Sequence, residues 1–306
     1  MNQKEKQDFR CGFVAIVGRP NVGKSTLLNN IVGQKVAIVS KVPQTTRHQI
    51  RGIYNSDRGQ IIFLDTPGIH LEKDNLDRFM NTTSLETLEG ADCIIHLADI
   101  MRCVGQEEEM VLRNLENAKV PVILGLNKSD LKGKYAHEYI SLWQKIKGET
   151  LSEKGDFVLL PLSAKEGMNI DKLIDILFGF LPAGPALYPT DTVSDVPQKL
   201  AIADIVREKL FFLLREEVPH SVAVVVEEMI QRKKKLLYIR IQILVERDSQ
   251  KEIVIGQNGQ VLKKAGSLAR KELERLLQSK IYLDLHVKAK KKWRDDMSFL
   301  GEMGCA

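Results

Sequence analysis

The chain has 306 residues, 43% hydrophobic and 28% charged, with a net charge of +5. That length suits two domains that each bury a core, and no run of about 18 apolar residues exists to form a membrane-spanning helix. The charged N-terminus, Met1–Gln7, has no apolar signal core, and four cysteines with no C-x-x-C pair exclude a zinc cluster and suit a reducing cytoplasm.

Apolar runs alternate with helical patterns up to about residue 181. Strands are expected at Phe13–Val17, Gln49–Tyr54, Gln60–Leu64, Cys93–Ala98, Pro121–Leu126 and Phe157–Leu160, the last in an apolar stretch beginning at Asp156. Helices are expected at Lys24–Val32, Asp77–Leu88, Glu107–Ala118, Tyr135–Lys147 and Ile170–Leu181. The alternation predicts an α/β domain with a mostly parallel sheet and helices on both faces. Ligands of such sheets bind at the carboxyl ends of the strands.

The first such end carries Gly18-Arg19-Pro20-Asn21-Val22-Gly23-Lys24-Ser25, followed by Thr26 at the start of a helix. This G-x-x-x-x-G-K-S spelling between strand and helix is a phosphate-binding P-loop. Its glycines let backbone N–H groups wrap phosphates at a helix N-terminus. Lys24 supplies charge to the β- and γ-phosphates, and Ser25 supplies a hydroxyl to Mg²⁺.

Three further motifs fall at later strand ends. Asp65-Thr66-Pro67-Gly68 offers a carboxylate to Mg²⁺ and the Gly68 N–H to a γ-phosphate. Asn127-Lys128-Ser129-Asp130 offers an Asp130 carboxylate that accepts from N1–H and the N2 amine of guanine, a donor pair adenine lacks. Asn127 is placed to tie this loop to the P-loop, and the Lys128 stem to cover the base. Ser163-Ala164-Lys165 offers a backbone N–H, near Ala164, to guanine O6. In Lys41–His48, Thr45 and Thr46 both qualify as donors of a hydroxyl to Mg²⁺.

In this order the motifs resemble the translation-factor-like GTPases, in the branch that contains Era and its relatives. Matching Thr45-Thr46-Arg47 to the second motif of that branch selects Thr46, with Ser25 and Asp65, as the Mg²⁺ set, Thr45 being the alternative. The resemblance implies GTP and GDP as ligands and assigns the chemistry to Lys24, Thr46, Gly68 and Asn21. After Gly68 stands Ile69, where Ras-like switches carry a water-orienting glutamine, so slow intrinsic hydrolysis is expected. The Asn21 position implies a K⁺ held near the β/γ bridge.

Leu181–Pro189 cannot continue a helix. The expected division is a GTPase domain over 1–185, a linker over 186–198 and a second domain over 199–306. Residues 1–198 carry 23 Lys+Arg and 25 Asp+Glu, a charge of −2; residues 199–306 carry 22 and 15, a charge of +7. The basic half is a candidate nucleic-acid binder. A helix is expected at Lys199–Glu217, then strands at Ser221–Ile230 and Leu236–Glu246 around a basic turn, Gln231–Lys235. A short helix from Glu252 leads into Ile255-Gly256-Gln257-Asn258-Gly259, then Val261–Leu277 with an apolar face of Leu262, Ala265, Leu268, Ala269, Leu273 and Leu276. A last strand spans Ile281–Val287.

That order resembles an α+β type II KH domain, with I-G-x-x-G as its mark. Its glycines let the loop approach a nucleic-acid backbone, beside an apolar groove from Ile253 and Ile255 that holds about four unstacked bases. Lys263, Lys264 and Arg270 add charge. The two halves together resemble the Era family over nearly the whole chain. This implies a monomer that binds single-stranded RNA, namely the 3′ region of small-subunit rRNA, serves 30S assembly, and is cytoplasmic with peripheral inner-membrane association. The rival readings are a tRNA-modification-type GTPase, for which Cys305 stands near the chain end, and a constitutive RNA-binding protein with a regulatory nucleotide site.

Overall fold

The computed structural model describes residues 9–147, 157–233 and 236–305. The N-terminal heptapeptide, Asp156 and the Lys234–Lys235 part of the basic turn lie outside them. The chain forms two compact units: Met1–Ala37, Thr46–Lys73 and Asp77–Asp195 in one; Ile38–Thr45, Asp74–Leu76 and Val196–Ala306 in the other.

The first unit is a six-stranded sheet built from β1 (Arg10–Val17), β2 (Ile50–Ser56), β3 (Gly59–Asp65), β4 (Cys93–Asp99), β5 (Val122–Asn127) and β6 (Phe157–Pro161). The order is β2-β3-β1-β4-β5-β6, parallel except that β2 pairs antiparallel with β3. Central β1 is apolar on both faces, and Val14, Ala15, Ile16 and Val17 are all fully buried. Helices α1 (Lys24–Val32), α2 (Asn75–Glu89), α3 (Gln106–Leu115), α4 (Ala136–Lys147) and α5 (Ile170–Phe180) follow the pattern the sequence predicts. Trp143 and Tyr139 from α4, with Val111, Leu112 and Leu115 from α3, fill one core cluster.

Strand β2 would present an open edge, which invites pairing with other chains. Residues 187–195 cover it. Ile53 N donates to Val193 O (2.9 Å), Asn55 Nδ2 to Thr192 O (3.2 Å) and Ser194 Oγ to Arg51 O (2.7 Å). Fully buried Gln60 accepts from Leu187 N and Tyr188 N (2.8 and 2.9 Å) and donates to Tyr188 O (2.9 Å). The proline-marked segment is therefore docked here as far as Asp195.

The second unit has a three-stranded sheet of β7 (Ala223–Lys233), β8 (Leu236–Val245) and β9 (Lys280–Ala289). Strand β8 is central, antiparallel to β7 and parallel to β9. Its alternation puts Ile239, Ile241 and Ile243 in the core. They meet α6 (Gln198–Leu213), α7 (Asp248–Ile255) and α8 (Gln260–Leu277). Gln231–Lys233 of the expected basic turn belong to β7. Helix α6 stops at Leu213, short of the expected Glu217. Leu214 is already extended, and Arg215–Glu217 are exposed with no apolar face to bury. In α8 the core takes Ala265, Ala269 and Leu273, while Leu268 and Leu276 of the expected apolar face are exposed.

The chain after β9 completes this core. Trp293 is fully buried and its Nε1 donates to Ser221 O (2.9 Å). Phe299 and Leu300 of α9 (Met297–Glu302) are buried too. Phe299 meets Trp293 edge-on at 6.1 Å, and Asp296 caps the helix by accepting from Phe299 N (3.0 Å). Phe299→Ala is expected to destabilise this unit by about 3–5 kcal/mol. Urea unfolding followed by Trp293 fluorescence checks this; an unmoved midpoint would mean the tail only rests on the surface.

Candidate nucleotide site and RNA-binding face

The P-loop shape follows from three residues with positive φ: Gly18 (149°), Asn21 (63°) and Gly23 (110°). A side chain on Gly18 would strike Leu97 O at 2.3 Å, and one on Gly23 would strike Asn127 Nδ2 at 2.4 Å. Both positions therefore need glycine for space as well as conformation. The Lys24 ammonium is buried and donates to Gly18 O (2.9 Å) and Arg19 O (3.0 Å). Burial lowers its pKa to about 8, against the pull of Asp65, Glu108 and Glu107.

Beside it Ser25 Oγ donates to Asp65 Oδ2 (2.6 Å) and lies 3.0 Å from Thr46 Oγ1. Thr45 does not compete for this place, because its hydroxyl donates to Val42 O (2.6 Å). Asp65 is fully buried, and its Oδ1 has no hydrogen-bond partner among the described residues. Burial raises its pKa to about 6, against Lys24 and the Ser25 bond. Two hydroxyls and a carboxylate with an unpaired oxygen are the hard donors that suit Mg²⁺. Thr66 Oγ1 donates to Ile16 O (3.0 Å), and Gly68 lies so close to the P-loop that a Cβ would meet Pro20 N at 2.6 Å. Ile69, 3% exposed, is core.

Asn127 joins three loops. Its Nδ2 donates to Val22 O (2.6 Å), and its Oδ1 accepts from Ala164 N (2.8 Å). Asn30 of α1 adds a bond to Ala164 O (3.2 Å). The Ala164 N–H is thus already engaged, and a base carbonyl would share it or take the next amide. Lys128 has φ 65°, and its ammonium pairs with Asp99 Oδ2 at 2.5 Å. Asp130 is exposed on the turn Ser129–Leu131. Ser163 is buried, while exposed Lys165 pairs with Glu166 (2.9 Å).

The Arg19 side chain is held behind the phosphate loop. Its guanidinium turns away from the phosphate loop and is 4% exposed. It donates to Cys103 O (3.1 Å) and the Tyr139 hydroxyl, and its Nε lies 2.7 Å from Glu108 Oε2, a charge contact not aligned as a hydrogen bond. Glu108 also meets His96 Nε2 (2.5 Å), whose Nδ1 accepts from Trp143 Nε1 (2.9 Å). The sequence reading missed Glu108, His96 and Asp99; only an acidic residue in an otherwise buried helix face signals the first.

In the second unit Gly256 (φ 73°), Asn258 (52°) and Gly259 (74°) shape the turn between α7 and α8. A Cβ on Gly256 would meet Val261 Cγ2 at 2.5 Å. Gln257 and Asn258 are exposed, as are Lys263, Lys264 and Arg270. Ile253 is 50% exposed, whereas Ile255 packs on the core, so the two isoleucines do not line one groove. Two residues apart on a helix, they cannot share a face. At the other end of α7 a cleft of about 940 Å³ is lined by Arg247, Lys251, Lys288, Lys291 and Lys292, with Glu246 and Asp248.

Fold and site together define a P-loop GTPase unit followed by a KH unit. The 50S ribosome-binding GTPase family model matches residues 13–128, and the KH domain model residues 217–294. The chain is 46% identical over 296 residues to GTPase Era of Halothermothrix orenii, covering 97% of this chain and 98% of that one. It is 43% identical over 298 residues to GTPase Era of Staphylococcus epidermidis, covering 97% of each. The chain belongs to the GTPase Era family. A crystal structure of Era with MgGDPNP and nucleotides 1506–1542 of 16S ribosomal RNA superposes with a TM-score of 0.90 at 39% identity, covering 97% of this chain and 99% of that one. Aquifex aeolicus Era bound to GDP·AlF₄⁻ gives 0.89 at 39% identity, covering 97% and 100%.

The two shifted groups make ligand binding pH-dependent. Mg²⁺ held by Asp65 would need the carboxylate ionised, so its affinity is expected to fall as pH drops through about 6, with proton release on binding there. Phosphates beside Lys24 would favour its charged form, so nucleotide binding above about pH 8 is expected to take up a proton. Calorimetry in buffers of different ionisation enthalpy reads both; heats that do not depend on the buffer would contradict them.

Proposed function

We propose that this chain is a GTP-hydrolysing switch that binds RNA through its KH domain and serves assembly of the small ribosomal subunit. The observation that carries it is the cluster of Lys24, Ser25, Thr46 and Asp65 at the mouth of β1 and β3. The Era bound to MgGDPNP and nucleotides 1506–1542 of 16S rRNA supports the same pair of ligands here.

Ser25, Thr46 and Asp65 would hold Mg²⁺, which supplies charge neutralisation between the β- and γ-phosphates. Lys24 leaves two carbonyls to meet the same phosphates, and it is already desolvated, which strengthens the attraction. The Gly68 N–H faces the γ-phosphate. Asp130 selects guanine, since its two oxygens accept the N1–H and N2 donors. Ile69 is locked in the core and orients no water, so turnover without a stimulus is slow. Asn21, exposed with φ 63°, would hold K⁺ near the β/γ bridge. RNA passes the Gly256–Gly259 turn, where the Lys263, Lys264 and Arg270 charges draw its phosphates. Cys305 is 1% exposed, which disfavours a modification enzyme using it as nucleophile. The family resemblance alone supports a monomer and peripheral membrane association; no helix among the described residues is long and apolar enough to cross a membrane.

Two variants separate the halves of this reading. Asp130→Asn is expected to weaken GTP and GDP alike by about 30- to 1000-fold while RNA affinity for the GDP-free protein holds. Replacing Gln257 and Asn258 with Asp is expected to remove most RNA binding and leave GTP binding intact. Titrations of the full chain with both ligands, in K⁺ and in Na⁺, check this. RNA binding that survives the second change would move the interface to the cleft around Lys251 and Lys291.

A further inference from the structure

The loop after Asp65 is pinned at two successive peptides by groups with no assigned part in the chemistry. Ser84 Oγ of α2 shares its one proton between Pro67 O and Met80 O (2.8 Å each), and His70 Nδ1 lies 2.6 Å from Gly68 O. A trans peptide is planar, with N–H opposite C=O. Holding Pro67 O therefore aims the Gly68 N–H, and holding Gly68 O aims the Ile69 N–H.

The second ring nitrogen of His70, Nε2, lies 3.0 Å from Asp77 Oδ1. Asp77 is fully buried, and its Oδ2 accepts from Lys73 N (2.9 Å). Both ring nitrogens thus face acceptors. Against an ionised Asp77, a neutral imidazole has only one N–H and leaves one of these contacts repulsive, whereas the imidazolium satisfies both. The ring is 4% exposed, and its backbone is fixed as well, His70 O accepting from Asn81 Nδ2 (2.8 Å). Asn81 also donates to Glu72 Oε1 (3.1 Å), so that carboxylate is engaged beside the ring.

We propose that His70, held as an imidazolium by Asp77, is a positioning residue for GTP hydrolysis, aiming the peptide after Gly68 by donating to the Gly68 carbonyl. The idea rests on the GTPase reading above. With Ile69 in the core, the backbone at this point has no side-chain substitute for orienting the reacting groups. The charged groups acting on the ring are Asp77 of α2 and Glu107 of α3, both acidic. Burial disfavours the cation, but the Asp77 bond, the Gly68 carbonyl and these charges outweigh it, and the His70 pKa lies above the usual histidine value. The sign follows: a raised pKa means the bonded cation is present at low pH and is lost as pH rises through that value. The rate should fall along the same limb.

The test measures single-turnover GTP hydrolysis and GDP affinity across the histidine titration range, together with ring ¹⁵N signals of His70 in the full-length protein. We expect both ring nitrogens protonated at neutral pH. His70→Gln, which donates to one acceptor only and carries no charge, should lower the rate by about 10- to 100-fold and flatten the pH limb, with GDP affinity unchanged. Asp77→Asn, nearly isosteric, should move the limb to lower pH. A singly protonated ring at neutral pH, or an Asp77→Asn profile superimposable on that of an active wild type, would overturn the proposal. A wild type that hydrolyses no GTP at any pH would instead defeat the GTPase reading, and the ring signals would still decide the protonation of His70.

Discussion

The nucleotide site depends on one side-chain amide. Asn127 is 2% exposed and spans from Val22 O in the P-loop to Ala164 N beyond β6. It uses both ends of its dipole, one as donor and one as acceptor, and an aspartate could supply only the second. Gly23 lacks a side chain because Asn127 occupies that space. Removing the amide would strand a buried carbonyl and a buried N–H, each costing about 1–3 kcal/mol. Three loops far apart in sequence are thereby held in register before any ligand arrives, which reduces the ordering cost of binding.

A second constraint lies behind the phosphate loop. Glu108 is fully buried between Arg19 and His96, with Trp143 closing the chain of contacts. A buried charge stripped of its partner costs about 3–5 kcal/mol. The network therefore fixes the P-loop to α3 and α4 with little tolerance, and it leaves the loop's backbone rather than the Arg19 side chain to face the phosphates.

The motifs were legible because their chemistry demands particular residues at fixed spacing. A phosphate cradle would need glycines and a lysine spaced as Gly18, Gly23 and Lys24 are, and a guanine reader would need a carboxylate at a strand end, where Asp130 stands. Partners distant in sequence were not legible. Nothing local to Arg19 says that Glu108 and Tyr139 will claim it, and nothing local to His70 says that Asp77 will. Gln60 reads as a polar residue at a strand edge until the docked segment at Leu187–Tyr188 supplies its partners. The helix before Gly256 begins at Asp248 rather than near Glu252, and its 3.6-residue period separates Ile253 from Ile255. The tail was opaque because one tryptophan, Trp293, decides its fate by burial, and burial is a property of the whole unit.

The most direct test of the account is the affinity of the Asn127→Ala chain for GDP, compared with wild type in the presence of Mg²⁺. If the amide holds the three loops together, dissociation constants should rise by at least about 5- to 150-fold, the range that either one of the two stranded groups implies. The fold, followed by circular dichroism, should persist. An unchanged GDP affinity in a folded variant would contradict the account, because the loops would then hold their register without Asn127.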